Sequence, residues 1–200
     1  IFEIKAPVLK HKGMLNMLKP LTSLALVSLL ASCGASTSVL RDGTNAGSRL
    51  SNDGSAILAQ WANTLPTEAS NMPQGSFSYE GVVAFSQSQS LPTSVFSNAD
   101  VTADIALNAN FNAGTVTGSV GNTRQLQGAG SGSIPVSGSV SPNNITVSGA
   151  GQVRDYRNRL VGLSVNLEGT FYGNGANMAL GSGASEFSER DYNAAFIVDR

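Results

Sequence analysis

From Gly75 onward apolar residues recur at every second position, and that period leaves few folds open. Val101, Ala103, Ile105, Leu107, Ala109 and Phe111 share one parity, while Thr102, Asp104, Asn108 and Asn110 share the other. Side chains of an extended chain point alternately to its two faces, so this segment reads as a half-buried β-strand. Phe77, Tyr79, Gly81, Val83 and Phe85 repeat the pattern before it. Val116 to Val120, Ile134 to Val140, Ile145 to Val153 and Val161 to Phe171 repeat it afterwards, with glycines at many of the inward positions. A weaker seventh strand falls around Gly181 to Ser188, and Tyr192, Ala194, Phe196 and Val198 make an eighth.

The connections between these strands are short. Asn112-Ala113-Gly114 reads as a tight hairpin turn, Ser141 to Asn144 as another, and Arg154 to Arg159 as a polar loop. Eight antiparallel strands joined locally predict an all-β fold, an eight-stranded antiparallel up-and-down β-barrel, because closure removes the strand edges that invite aggregation. A barrel of that size is filled by its own side chains, and inward glycines suit a narrow interior shared with Phe and Tyr. A sandwich of two sheets satisfies the same alternation. The outward parity is mostly Thr, Ser, Asn, Asp and Glu, with Tyr172 an isolated aromatic. Membrane-embedded barrels turn apolar residues outward, so this exterior is expected to face water.

The N-terminal part obeys other rules. Leu30-Ala31-Ser32-Cys33 closes an apolar run from Leu21 and holds the only cysteine of 200 residues. With Lys19 before it, the run has the charge, apolar core and small residues of an export signal, and a cysteine just after the cut is the lipobox of bacterial lipoproteins. Cys33 is therefore the expected lipidation site and first mature residue; an ordinary secretory signal with a chance cysteine is the alternative. The apolar run is too short to span a bilayer as a helix. Met14 or Met17 is the expected translation start. Residues 1–32 thus read as an upstream extension plus lipoprotein signal peptide, and 33–52, rich in Ser, Gly, Thr and Asn, as a flexible tether. Residues 53–74 read as a short helix and linker, with Ile57, Leu58, Trp61 and Leu65 at helical spacing, and 75–200 as the barrel.

Removing the signal changes the available chemistry. All four lysines and the sole histidine, His11, precede Cys33. Eight arginines against twelve Asp and Glu then leave a formal charge of −4. Nucleic acid is disfavoured as a partner, since counterion release needs a basic footprint. Without mature His, Lys or a free Cys the usual general base and nucleophile pairs are missing, so no catalytic residue and no enzymatic activity are assigned. Asp100 and Asp104 read as solvent-facing polar positions. Zinc lacks its Cys and His ligands, haem would depend on Tyr or Met, and calcium at the Asp53 loop is a weak alternative. No metal site and no cofactor are assigned.

Four segments carry a family resemblance. Gly169-Thr-Phe-Tyr-Gly-Asn-Gly-Ala-Asn-Met178 resembles the G-x-F-Y-G-x-x-A-x-E-x-G-G pattern in the barrels of transferrin-binding protein B and its relatives. Met72-Pro-Gln-Gly75 before Phe77-Ser-Tyr-Glu-Gly81 resembles the opening of small members. Asn110-Phe-Asn-Ala-Gly-Thr-Val-Thr-Gly118 resembles their first hairpin, and Ala194-Ala-Phe-Ile-Val-Asp-Arg200 their closing strand. Leu180 and Ser182 depart from the glycine-rich end of the signature. The resemblance covers residues 72 to 200 and implies an eight-stranded barrel on an outer-membrane lipoprotein, displayed at the cell surface in many relatives. It also implies capture of iron proteins, haem proteins or complement regulators by the larger members, which have a handle domain that this chain has no room for.

Two functional readings follow. The first is a non-enzymatic binding module, anchored to the outer membrane by its N-terminal lipid, whose loops contact a host or environmental protein or an iron-related ligand. Loops over Ser86–Asn98, Gly121–Ser131, Arg154–Arg159 and Gly173–Gly183 are the candidates. Arg154, Tyr156, Arg157 and Arg159 are the sharpest ligand-binding cluster, because Arg and Tyr are favoured at interface hot spots; a solvated hairpin balanced by Asp155 is the plainer reading. The second is a structural or accessory envelope lipoprotein facing the periplasm. Gly34 follows Cys33 where inner-membrane retention is associated with Asp, which favours the outer membrane.

Overall fold

The computed structural model describes residues 61–200. The signal segment, Cys33, the tether and most of the helix expected behind Asp53 lie outside the described residues; Trp61 and Ala62 are helical. A 3-10 turn at Ala69–Asn71 leads into β1 (Ser76–Ser86). There follow β2 (Val101–Asn110), β3 (Thr115–Gln125), β4 (Gly128–Ala129), β5 (Ser133–Ser141), β6 (Asn144–Arg154), β7 (Leu160–Tyr172), β8 (Met178–Phe187) and β9 (Arg190–Asp199). All pairings are antiparallel and β1 pairs with β9, from Glu80↔Asp199 to Ser86↔Asn193. With β2 paired to β3 the ring closes, and the molecule is the up-and-down barrel and not the sandwich. Eight strands make the ring; β4 is a two-residue addition on the end of β3.

The inward parity read from the sequence is the core. Tyr79, Val83, Phe85, Ile105, Val116, Ile134, Ile145, Leu163, Leu167, Phe171 and Phe196 are all buried. Tyr79 and Phe111 both pack against the Phe171 ring, with centroids 5.7 and 5.1 Å away. Two aligned glycines make room for the ring of Phe196, fully buried on β9. Gly169 and Gly181 face each other across β7 and β8. A Cβ on Gly181 would lie 2.5 Å from Phe196 Cε1, and one on Gly169 2.7 Å from its Cζ. The ring fills the space that two missing side chains leave.

The exterior departs from expectation on one side. Val82, Ala84, Leu180, Ala195 and Ile197 turn outward on β1, β8 and β9 and are nonetheless buried. They are covered by α1 (Pro92–Ser97), inside the connection expected to be a loop, whose Val95 and Phe96 lie against them. Pro92 starts this helix without penalty, since the first helical N–H has no intrahelical acceptor. Burying two such apolar side chains contributes about 1.5–3 kcal/mol each. Six residues with two apolar positions are too few to display a helical period, which is why the alternation elsewhere gave no sign of it.

The turn between β8 and β9 consists of Ser188 and Glu189, both left-handed, with φ of 53° and 63°. Two positive φ values give the mirror-image turn that matches strand twist, a conformation that Asn and Gly adopt most easily. Replacing Ser188-Glu189 with Asn-Gly should raise stability by about 1 kcal/mol, read as a higher urea midpoint at unchanged slope. Gly181→Ala should lower it by about 1–3 kcal/mol through overpacking against Phe196 and the β7 backbone, in the same assay.

Candidate functional site

Strand direction sorts the loops into two sets. At the near end, where β1 begins, lie residues 61–75, the turns at 111–114 and 142–143, the 173–177 loop and Arg200. At the far end lie 87–100, 126–132, 155–159 and 188–189. Three of the four candidate loops therefore share the far end and the fourth is opposite. Two of them are shorter than expected: Gly121–Gln125 continues β3, and Met178–Gly183 already belongs to β8. The four candidate residues remain together, with Arg154 closing β6 and Tyr156, Arg157 and Arg159 in the loop beyond it.

That loop is organised by the carboxylate between them. Asp155 is 4% exposed. Its Oδ1 accepts the backbone N–H groups of Arg157 and Arg159, each at 2.9 Å, and its Oδ2 accepts Arg159 Nε at 2.9 Å and Nη2 at 2.7 Å. Arg154 Nη1 donates to the Asn158 carbonyl at 2.9 Å, across a residue with φ of 62°. Asp and Asn are the side chains that fold a chain back on itself in this way. Arg159 and Arg154 thus build the loop, whereas the Arg157 guanidinium lies over the Tyr156 ring, 5.1 Å from its centroid.

A second connection leans on the first. Ser131 and Arg154 exchange backbone hydrogen bonds of 2.9 and 2.8 Å, and a Cβ on Gly128 would sit 3.3 Å from Tyr156 Cβ. Leu126, at the tip of the β3–β4 hairpin, is 90% exposed, and Leu160, paired with Arg154, is 59% exposed. Neither residue stands out in the sequence, since each breaks the alternation only by being apolar at an outward position. Asp100 and Asp104 are committed elsewhere: Asp100 Oδ2 accepts the Gln87 N–H at 2.9 Å, and Asp104 takes Arg124 Nη1 at 2.6 Å and Asn122 Nδ2 at 3.1 Å. A groove of about 300 Å³ beside Asp104 on the barrel exterior is lined by Glu80, Asn122 and Ser133. Among the described residues no three His, Cys, Asp or Glu side chains come together.

At the near end the glycine-rich signature has a structural task. Phe171 points inward, Tyr172 packs edge-on against Trp61 at 5.6 Å, and Gly173, Gly175 and Ala176 all have positive φ. The loop is held by Tyr79, whose hydroxyl donates to the Ala176 carbonyl at 2.6 Å, and by Arg200, whose Nη2 donates to the Gly175 carbonyl at 2.6 Å. Arg200 also lies 3.7 Å over the Phe77 ring and donates through Nε to the Tyr79 hydroxyl at 3.3 Å. Burial pushes the Tyr79 pKa up, outweighing the hydrogen bond and charge of Arg200, so the phenol keeps the proton it donates. The segment before β1 joins in, with Thr67 Oγ1 donating to the Gly173 carbonyl at 2.7 Å. Tyr79 and Arg200 were invisible as partners in the sequence, being 121 residues apart.

The molecule is a closed barrel with a side-chain-filled interior and a braced loop set at each end. The model describing the C-lobe and N-lobe beta barrels of Tf-binding protein B matches residues 72–198, and the chain belongs to that family of binding-protein barrels. Members are surface lipoproteins of the bacterial outer membrane. No curated protein matches the chain in sequence. Among the described residues no helix is long and apolar enough to cross a membrane.

Burial pushes the Asp155 pKa up, but the N–H groups of Arg159 and Arg157 and the Arg159 charge outweigh it, so the carboxyl sits below the usual carboxylate range. A depressed pKa stabilises the folded loop above the unfolded value and stops doing so as pH falls through the folded one. The Asp155 carboxyl carbon, followed by NMR, should titrate below 3.8, the ordinary value. Asp155→Asn should remove the transition and sharpen proteolysis within 154–160 at neutral pH.

Proposed function

We propose that the chain is a lipoprotein anchored in the outer membrane through Cys33, and that its barrel is a non-enzymatic binding module for a protein ligand. The observation that carries this reading is the Asp155-braced loop of Arg154, Tyr156, Arg157 and Arg159 at the barrel end opposite residues 61–75. Residues 61–75, the described chain nearest Cys33, enter at the opposite end and do not cover this loop set. Interior aromatic packing supports the same reading, because it leaves ligand contact to the outer surface. Family membership makes transferrin and other iron-carrying host proteins the first ligands to test. Fold kinship alone does not transfer a ligand, so the loops decide.

The test is protease shaving of intact cells expressing the protein with an epitope in the Ser188-Glu189 turn, beside a Cys33→Ala control, with labelled iron-loaded and iron-free transferrin added to the same cells. Loss of epitope only when Cys33 is intact, with saturable ligand binding, is the expected result. An epitope that survives until the outer membrane is permeabilised overturns surface capture and leaves a structural lipoprotein facing the periplasm.

A further inference from the structure

We infer that the far end carries one composite protein-docking surface, built from residues 126–132 and 154–160, and that its occupant is a protein surface presenting carboxylates among apolar side chains. This rests on the proposed binding role and gives the partner's chemistry.

Charge is distributed unevenly. Residues 61–200 hold six arginines, no lysine and ten Asp and Glu, and three of the six arginines fall between 154 and 159. The others are occupied or diluted. Arg124 is paired with Asp104, Arg200 is folded onto Phe77 and the Gly175 carbonyl, and Arg190 stands between Glu189 and Asp191. Within the cluster Asp155 neutralises Arg159, so three arginines against one acid leave a net charge of +2, with Arg157 a guanidinium that no carboxylate of the loop takes. Among the described residues, which are acidic in sum, this segment carries the local excess of positive charge, and its field attracts a surface of opposite sign.

The patch is also stiff and partly apolar. Bonds through Asp155, Asn158 and Ser131 hold the loop in shape, so little side-chain and loop ordering remains to oppose association. Arg157 over Tyr156 presents a cation and an aromatic face together, the residue types in which binding energy concentrates. Leu126 and Leu160 stand exposed at its margins. One exposed leucine needs no explanation, but two on connections joined by the Ser131–Arg154 bonds add apolar area that excludes water around a charge pair. A nucleic acid would satisfy the cations and not the leucines, and the acidic body would repel its backbone.

The full chain, labelled with ¹⁵N, is titrated with a peptide of repeated Glu-Glu-Leu triplets, with Lys-Lys-Leu and duplex DNA as controls. Amide shifts should saturate and cluster in 126–132 and 154–160. Arg157→Glu should weaken binding by about tenfold and Leu126→Ser by about threefold, while Arg190→Glu, at the same barrel end, changes it by less than about twofold. Shifts scattered over the barrel, an equal response to Arg190→Glu, or equal binding of either control overturns the proposal. Unchanged amide dispersion elsewhere shows that each variant is folded. If shaved cells display the protein and capture a ligand that Arg157→Glu does not affect, the docking surface fails while the binding role stands; absent display removes the binding role and leaves the titration to decide the surface.

Discussion

Pairing of the first strand with the last is the constraint on which everything else in this molecule rests. Until β1 meets β9, Phe196 has no Val83 beside it, and the two outer strands show open edges. A strand edge carries unpaired N–H and C=O groups, and neither water exclusion inside nor the outer apolar strip under α1 can form without closing it. The same pairing sets Arg200 one step beyond Glu80↔Asp199, opposite Tyr79, which is how a residue at the end of the last strand fastens the 173–177 loop. One register therefore fixes the core, the helix-covered flank and the near-end seal together.

The two barrel ends use charged groups differently. At the near end Arg200 is folded onto aromatic faces and carbonyl oxygens, and its charge is turned into packing. At the far end Asp155 gathers the donors of its own loop and leaves Arg157 to the outside. Arg159 is largely exposed, so its ion pair with the buried Asp155 is worth little by itself and its value lies in the shape it gives the loop.

The strand pattern was legible because period two is local. Each inward residue from Phe77 to Val198 declares itself through its neighbours, and the barrel follows from eight such runs with short turns. Helix α1 was not legible, since its two apolar residues acquire meaning only from the outward Val82, Ala84 and Ile197 that they cover. The start of β8 was misplaced because Met178, Ala179 and Leu180 are apolar on both parities, one face turned to the core and the other to Trp61 and α1. At the candidate site the residue types of 154–159 were readable, but the reversal of roles was not: Arg154 and Arg159 turn to the loop's own acceptors, and only the fold brings Gly128 to Tyr156 and Ser131 to Arg154.

Because β1 and β9 are neighbours, the polypeptide of the barrel arrives and departs at one rim. A domain wired in this way behaves as a plug-in cassette, since two adjacent stumps can be grafted onto another protein, or onto a second barrel in tandem, without rerouting a strand. The same wiring permits circular permutation: a short linker across the rim and a cut at Ser188-Glu189 would keep every rung of the ladder while moving the new termini to the face that carries the arginines.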